Sequence, residues 1–154
     1  MDEIDRKICG IVQRDGRASS AEIAEAVGVS VSTANERVRR LAATGVISAW
    51  RGVLDPQRVG AGLCGLVLID MAYIGEAEAA EALRARPEVL ELHHISGPHS
   101  YLAKVRVSDT AAMQKFLQDA VKPLKAVQRT ETIFTLDTVK ETTEVLIAAP
   151  EKGS

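Results

Sequence analysis

Cysteine is scarce in this chain of 154 residues: Cys9 and Cys64 are the only two, far apart and without a CxxC or Cys/His spacing. That speaks against a disulfide framework and a structural zinc site, and leaves both as small hydrophobes expected to be buried. Long apolar runs are missing as well. No uninterrupted stretch approaches the roughly 20 residues that span a bilayer, and the opening MDEIDRK lacks the cationic-then-apolar order of a signal peptide. A cytoplasmic chain with no membrane partner is expected. Net charge is only −2, which argues against indiscriminate coating of nucleic acid. No internal repeat or low-complexity segment is visible. No Ser/His/Asp, Cys/His or paired-carboxylate constellation emerges either, so no catalytic residue, metal or cofactor is expected.

What is present reads as globular, with 46% hydrophobic and 26% charged residues. Charge is unevenly spread. Residues 1 to 54 lean basic and residues 55 to 154 acidic, and Arg37, Arg39, Arg40 and Arg51 lie within fifteen residues opposed only by Glu36. The pattern changes near Asp55-Pro56, where short helical periodicities give way to apolar alternation. The expected units are therefore 1–54 and 55–154.

In the first unit Ile4, Ile8, Ile11 and Val12 recur on one face of a helix that should stop before Asp15-Gly16. Ser19-Ser20-Ala21-Glu22 has the form of a capping box for a second helix ending at Gly28. Gly28-Val29-Ser30 is a tight turn, its glycine free to take positive φ and Ser30 placed to cap a third helix through about Thr44-Gly45. On that third helix Val31, Ala34, Val38 and Leu41 form the stripe expected to be buried. The opposite face presents Ser32, Thr33, Glu36 and Arg40, flanked by Asn35, Arg37 and Arg39. Short polar side chains near the N-terminal end with cations further along suit a helix that reads base edges in the major groove of double-stranded DNA. Ser30, Ser32, Thr33, Asn35, Glu36 and Arg40 are the candidates for the reading end, and Arg37, Arg39 and Arg51 for phosphates. Glu36 would repel phosphate unless it accepts from a cytosine amino group. A three-helix bundle with a charged surface is the bland alternative. Val46 to Leu54 reads as one or two short linking strands, with Trp50 against the linker or a partner subunit.

Gly60, Gly62 and Gly65 satisfy G-x-G-x-x-G, but they follow a turn and lead into an apolar strand-like run rather than opening a helix, so a dinucleotide site is rejected. From there the order is strand Leu63–Tyr73, helix Glu76–Arg86, strand Val89–Ser96, strand Tyr101–Val107, helix Asp109–Val121 and strand Val127–Leu136, an α+β, ferredoxin-like βαββαβ arrangement. Two helices cover one face of such a sheet. The other face is left with apolar residues of the first strand, which a second subunit should cover. Val145, Leu146 and Ile147 suggest an added edge strand on that partner.

All three histidines fall within seven residues, His93, His94 and His99. Strand alternation turns His93 to the side of Val89, Glu91 and Ile95, and His94 to the side of Leu90, Leu92 and Ser96, so the pair does not share one metal.

The ordered series IDRKI (4–8), RDGRAS (14–19), VGVSVSTANERVRRL (27–41), GVI (45–47), LDP (54–56), RPEVLELHHISG (86–97), YLAKVRVSD (101–109) and RTET (129–132) resembles the Lrp/AsnC, or feast/famine, transcriptional regulators over nearly the whole chain. The resemblance implies an N-terminal winged helix–turn–helix and a C-terminal βαββαβ domain that dimerises and often assembles into tetramers or octamers. It implies a small effector, usually an amino acid, between C-terminal domains, and hence a nucleoid-associated regulator. The turn Gly97-Pro98-His99-Ser100 matches the family loop that usually reads Gly-Asp-Tyr-Asp and lines the effector pocket. Gly97, Pro98, His99, Ser100 and Tyr101 become effector-binding candidates on that basis, with Thr130 and Thr132 on the last strand. Pro98 and Ser100 stand where the family has acids, which removes the obvious partner of a ligand ammonium. A threonine ladder is the alternative for Thr130 and Thr132. Some proteins that resemble this family, the siroheme decarboxylases, are enzymes on the same two-domain fold with histidines near the equivalent pocket. That keeps an enzymatic alternative open.

Overall fold

The computed structural model describes residues 1–149. The chain divides into two compact units, Met1–Val53 joined by residues 140–149, and Leu54–Val139.

The first unit holds three helices, α1 (Glu3–Arg14), α2 (Ser20–Val27) and α3 (Val31–Ala43). Each N-terminus is satisfied by a side chain. Asp2 and Asp5 form a reciprocal capping box on α1, and Ser19 and Glu22 do the same on α2. Ser30 caps α3 by accepting from the Thr33 N–H at 3.2 Å. Between α2 and α3, Gly28 takes φ 74° and ψ 40° while its N–H donates to the Ala24 carbonyl at 2.9 Å. A side chain there would face the steric penalty of the left-handed region. The turn therefore stays tight. Ile8, Val12, Ile23, Ala24, Ala34 and Leu41 form the core, with Ile4, Ile11 and Val38 against it. Val31, expected in the buried stripe, is 52% exposed. As the first residue of α3, its side chain leans back beyond the turn rather than onto α1 and α2.

The expected linking strands over Val46 to Leu54 do not form; this stretch is irregular and finds no ladder partner among the described residues. Trp50 lies about 3.7 Å from where a Cβ on Gly16 would stand, so that glycine makes room for the indole. The tail that was expected to follow the second unit clusters with the first. Gln13 holds it through both amide atoms: Nε2 donates to the Val145 carbonyl at 3.0 Å and Oε1 accepts from the Val145 N–H at 3.1 Å.

The second unit is a four-stranded antiparallel sheet in the order β2-β3-β1-β4, from β1 (Leu63–Met71), β2 (Val89–His94), β3 (Tyr101–Val107) and β4 (Val127–Phe134). Helices α4 (Glu76–Arg84) and α5 (Thr110–Phe116) supply Ala79, Leu83, Met113 and Phe116 to one core with Val67, Ile69, Ala103 and Val105. Both helices thus cover the same face. Helix α5 widens into a π turn over Leu117–Val121, where the Lys122 N–H reaches back to the Leu117 carbonyl at 2.8 Å. Pro123 follows, and the helix ends. The motif glycines sit outside any helix start. Gly65 lies inside β1, and a Cβ there would meet Met113 Cε at 2.6 Å, so its bareness seats the methionine.

Two bulges reset side-chain direction. On β2, Val89 pairs with Val105 but Glu91 pairs with Lys104, leaving Leu90 as the extra residue, 52% exposed. Strict alternation grouped Val89 with Glu91 and His93; the bulge instead turns Val89 to the covered face with Leu92 and His94. On β4 a similar shift beside Asp70 and Met71 returns Val127 to the covered side.

Candidate nucleic-acid interface and ligand-binding region

On α3, Ser32, Asn35, Glu36, Arg39 and Arg40 are exposed, and Thr33 and Arg37 are half-buried. The Ser30 hydroxyl lies 3.0 Å from that of Ser32 and 2.8 Å from that of Thr33, so three small hydroxyls cluster at the N-terminal end. A helix N-terminus adds partial positive charge there.

The arginines divide into two classes. Arg37 Nη1 donates to Asp2 Oδ2 at 2.6 Å and to Asp5 Oδ1 at 2.9 Å. Arg40 Nη2 donates to both carboxylate oxygens of Asp5, at 2.8 and 2.9 Å. The Arg37 guanidinium, with the Asp5 backbone N–H, holds the Asp2 carboxyl down at about 2, and the two aspartates raise Arg37 above its usual range. Arg39 and Arg51 are exposed and form no ion pair with any described residue. Composition showed four clustered arginines; the pairing of two of them with acids 32 and 35 positions earlier was invisible to it.

In the second unit the three histidines go separate ways. His93 lies 3.1 Å from Glu91 Oε2 on the uncovered face, and His94 stacks on Tyr101 on the covered face, ring centroids 4.9 Å apart at 18°. His99 Nδ1 meets Asp70 Oδ1 at 2.8 Å, and its side chain is 13% exposed. Asp70 also accepts from Arg129 Nε at 3.0 Å, and its carboxyl is lowered, chiefly by the His99 hydrogen bond. Ser100 fastens the β2–β3 hairpin to β1: its N–H donates to the Ile69 carbonyl at 3.0 Å, and its hydroxyl accepts from the Met71 N–H at 3.1 Å. Gly97 has φ 115° in the same hairpin. Tyr101 turns toward Glu76, and burial together with that carboxylate pushes its phenol up.

The loop residues and the two threonines do not meet within one chain. Thr130 and Thr132 pair with Ile69 and Val67, which places them on the covered face of an edge strand, whereas His99 lies with Asp70 on the other face. Thr130 instead joins a shallow groove of about 310 Å³ between β4 and the end of α5, floored by Leu117 and Val121 and rimmed by Gln114, Gln118 and Lys122. The sequence reading did not single out those three. Their spacing of four residues puts them on one helix face, and that was the available signal. The groove lining contains no Asp or Glu.

The AsnC-type helix–turn–helix domain matches residues 1–42, and the Lrp/AsnC ligand binding domain matches residues 74–145. The HTH-type transcriptional regulator FL11 of Pyrococcus horikoshii is 34% identical over 147 residues, covering 96% of this chain and 97% of its own. The chain belongs to the Lrp/AsnC family. Among solved structures, an AsnC family transcriptional regulator from Agrobacterium tumefaciens is similar at a TM-score of 0.89 and 30% identity, over 95% of this chain and 97% of that one. A transcriptional regulator–L-Met complex from Neisseria meningitidis also gives 0.89, at 28% identity over 95% and 96%. This Lrp/AsnC chain is therefore a DNA-binding transcriptional regulator, with a helix–turn–helix unit and an antiparallel α+β ligand-binding unit. Among the described residues no helix is long and apolar enough to cross a membrane.

Proposed function

We propose that α3 enters the major groove of double-stranded DNA and selects sequence through Ser32, Thr33, Asn35 and Glu36. Ser30 sets the helix end, and Arg39 and Arg51 take phosphates. One observation carries this reading: an exposed face of small polar groups on a helix capped by Ser30, held behind the left-handed Gly28 turn. Asn is suited to adenine and Glu to a cytosine amino group. Paired recognition helices of a homodimer visit major grooves about 34 Å apart on a pseudo-palindromic site, and the protein works in the cytoplasm at the nucleoid.

The second copy covers the face of the sheet that α4 and α5 leave bare. Leu66, Leu68, Leu102 and Ile133 stand there, with Ile133 46% exposed. Joined dimers then bring the Gly97 to Tyr101 hairpin of one chain toward the groove of another, uniting candidates that one chain keeps apart. The effector is a small molecule, an amino acid or a related metabolite. Pro98 and Ser100 carry no charge, and the groove lining is free of acids, so recognition centres on the ligand's carboxylate, with Lys122 and the Thr130 hydroxyl as its partners. No catalytic step is assigned to the chain.

The test is capture of genomic fragments by the purified protein at two salt concentrations, with and without pooled amino acids. Discrete, salt-sensitive enrichment supports the regulator. No enrichment under any condition, together with a Soret band from a bound tetrapyrrole, would transfer the chain to the decarboxylase-like class.

A further inference from the structure

Asp5 is the only polar or charged residue classed as buried among the described residues, at 2% exposure. Its carboxylate is fully occupied. Oδ2 accepts from the Asp2 N–H at 3.1 Å, Oδ1 from Arg37, and both oxygens from Arg40. Asp2 adds a second carboxylate to Arg37. Helix α3 therefore carries three arginines within four residues in two electrostatic states: Arg37 and Arg40 tied back to the start of α1, and Arg39 exposed with no ion pair among the described residues. Packing alone does not call for this arrangement, because apolar residues of similar volume often replace a buried ion pair without loss. A buried carboxylate holding two guanidinium groups beside a surface suited to phosphates has another consequence. Much of the pair's charge is cancelled before any polyanion arrives, and their rotamers are fixed.

We infer that Asp5, assisted by Asp2, is a positioning residue that restrains Arg37 and Arg40 and so suppresses sequence-independent DNA binding, leaving discrimination to the short polar side chains of α3. This rests on the reading of α3 as the DNA-facing helix. It also moves Arg40 from the base-reading set, and Arg37 from the phosphate set, to a shared restraint. Non-specific affinity comes from phosphate neutralisation, each contact adding about 0.9 to the slope of log affinity against log salt. A restrained arginine adds less.

The experiment measures binding of full-length protein to a fragment it selects and to a scrambled duplex of equal length, across a salt series, for wild type, Asp5→Asn, Asp2→Asn and Arg39→Ala. With Asp5→Asn, the slope on the scrambled duplex is expected to steepen by about one to two, random-DNA affinity to rise severalfold at low salt, and the specificity ratio to fall. A folded Asp5→Asn protein with unchanged or shallower slope and unchanged ratio overturns the inference. Should Asp5→Asn fail to fold, Asp2→Asn decides in the same way with a smaller steepening, since asparagine still caps α1 and Arg37 loses one of its two carboxylate partners while Arg40 keeps its own. Arg39→Ala tests the underlying reading separately: its slope becomes shallower by about 0.9 if α3 faces DNA. A wild-type protein with no salt-sensitive binding to either duplex removes that reading itself.

Discussion

The two units are left incomplete by opposite chemistry. The helical unit closes its own core around Ile8, Ala34 and Leu41 and turns hydroxyls, an amide and cations outward. The sheet unit closes one face around Val67, Ile69 and Leu83, and leaves leucine and isoleucine on the other. A polar face with unpaired cations is completed by a polyanion, a bare apolar sheet face by another protein surface. Two adjacent residues of β1 put the contrast to its strongest test. Ile69 is fully buried on the covered face, and Ile69→Ala is expected to lower the unfolding free energy by about 2–5 kcal/mol in chemical denaturation. Leu68 is on the bare face, and Leu68→Lys is expected to keep the monomer fold while shifting the protein to monomer in sedimentation velocity. If Leu68→Lys unfolds the isolated chain and leaves assembly alone, the two faces have been assigned the wrong way round.

Within the helical unit the contrast is between reading and holding. Asn35→Ala removes the exposed amide proposed to meet an adenine edge, and is expected to cost about 1–3 kcal/mol on the selected fragment with little change on scrambled DNA. Equal losses on both duplexes would demote Asn35 to a general contact. Gly28→Ala acts one step back, by opposing the left-handed turn at φ 74°. No atom lies within 4 Å of the added Cβ, so the expected penalty of about 1–2 kcal/mol is backbone strain alone. Thermal denaturation measures it, and an unchanged transition would mean that the turn relaxes.

Helices α1 to α3 were legible because each carries its stop and start signals locally: Ser19, Gly28 and Ser30 need only neighbouring residues to act. The order of strands and helices in the sheet unit was legible for the same reason, as apolar periodicity changes at Pro87 and at Asp109. What escaped was long-range. The bulge that turns Val89 depends on how β2 meets β3, and the tie from Asp5 to Arg37 and Arg40 spans 32 and 35 positions. The Gln13 grip on Val145 spans 132. Pairwise geometry of this kind leaves no periodic trace, so Arg40 read as a free cation. Of the proposed effector region, the Gly97 hairpin was raised by its resemblance alone, and Gln114, Gln118 and Lys122 were not singled out at all.

Acid separates the two units by their carboxylates, with the smallest expected effect. In the helical unit Asp2 is lowered from 3.8 to about 2, first by Arg37. A carboxyl depressed in the folded state binds its proton more readily once unfolded, so its stabilising tie is complete above about pH 4 and is lost as pH falls toward 2. Asp70 behaves with the same sign in the sheet unit, lowered first by His99, and its tie too is lost on acidification below its ordinary 3.8. The single tryptophan, Trp50, lies in the helical unit against Gly16, so its fluorescence follows that unit while far-ultraviolet dichroism follows both. Asp2→Asn is expected to flatten the decline of the fluorescence-detected stability between pH 4 and 2, and Asp70→Asn to leave that signal as it is. An unchanged decline in Asp2→Asn would show that the Arg37 tie is as strong in the unfolded chain as in the folded one, and that the restraint on α3 rests on Asp5 alone.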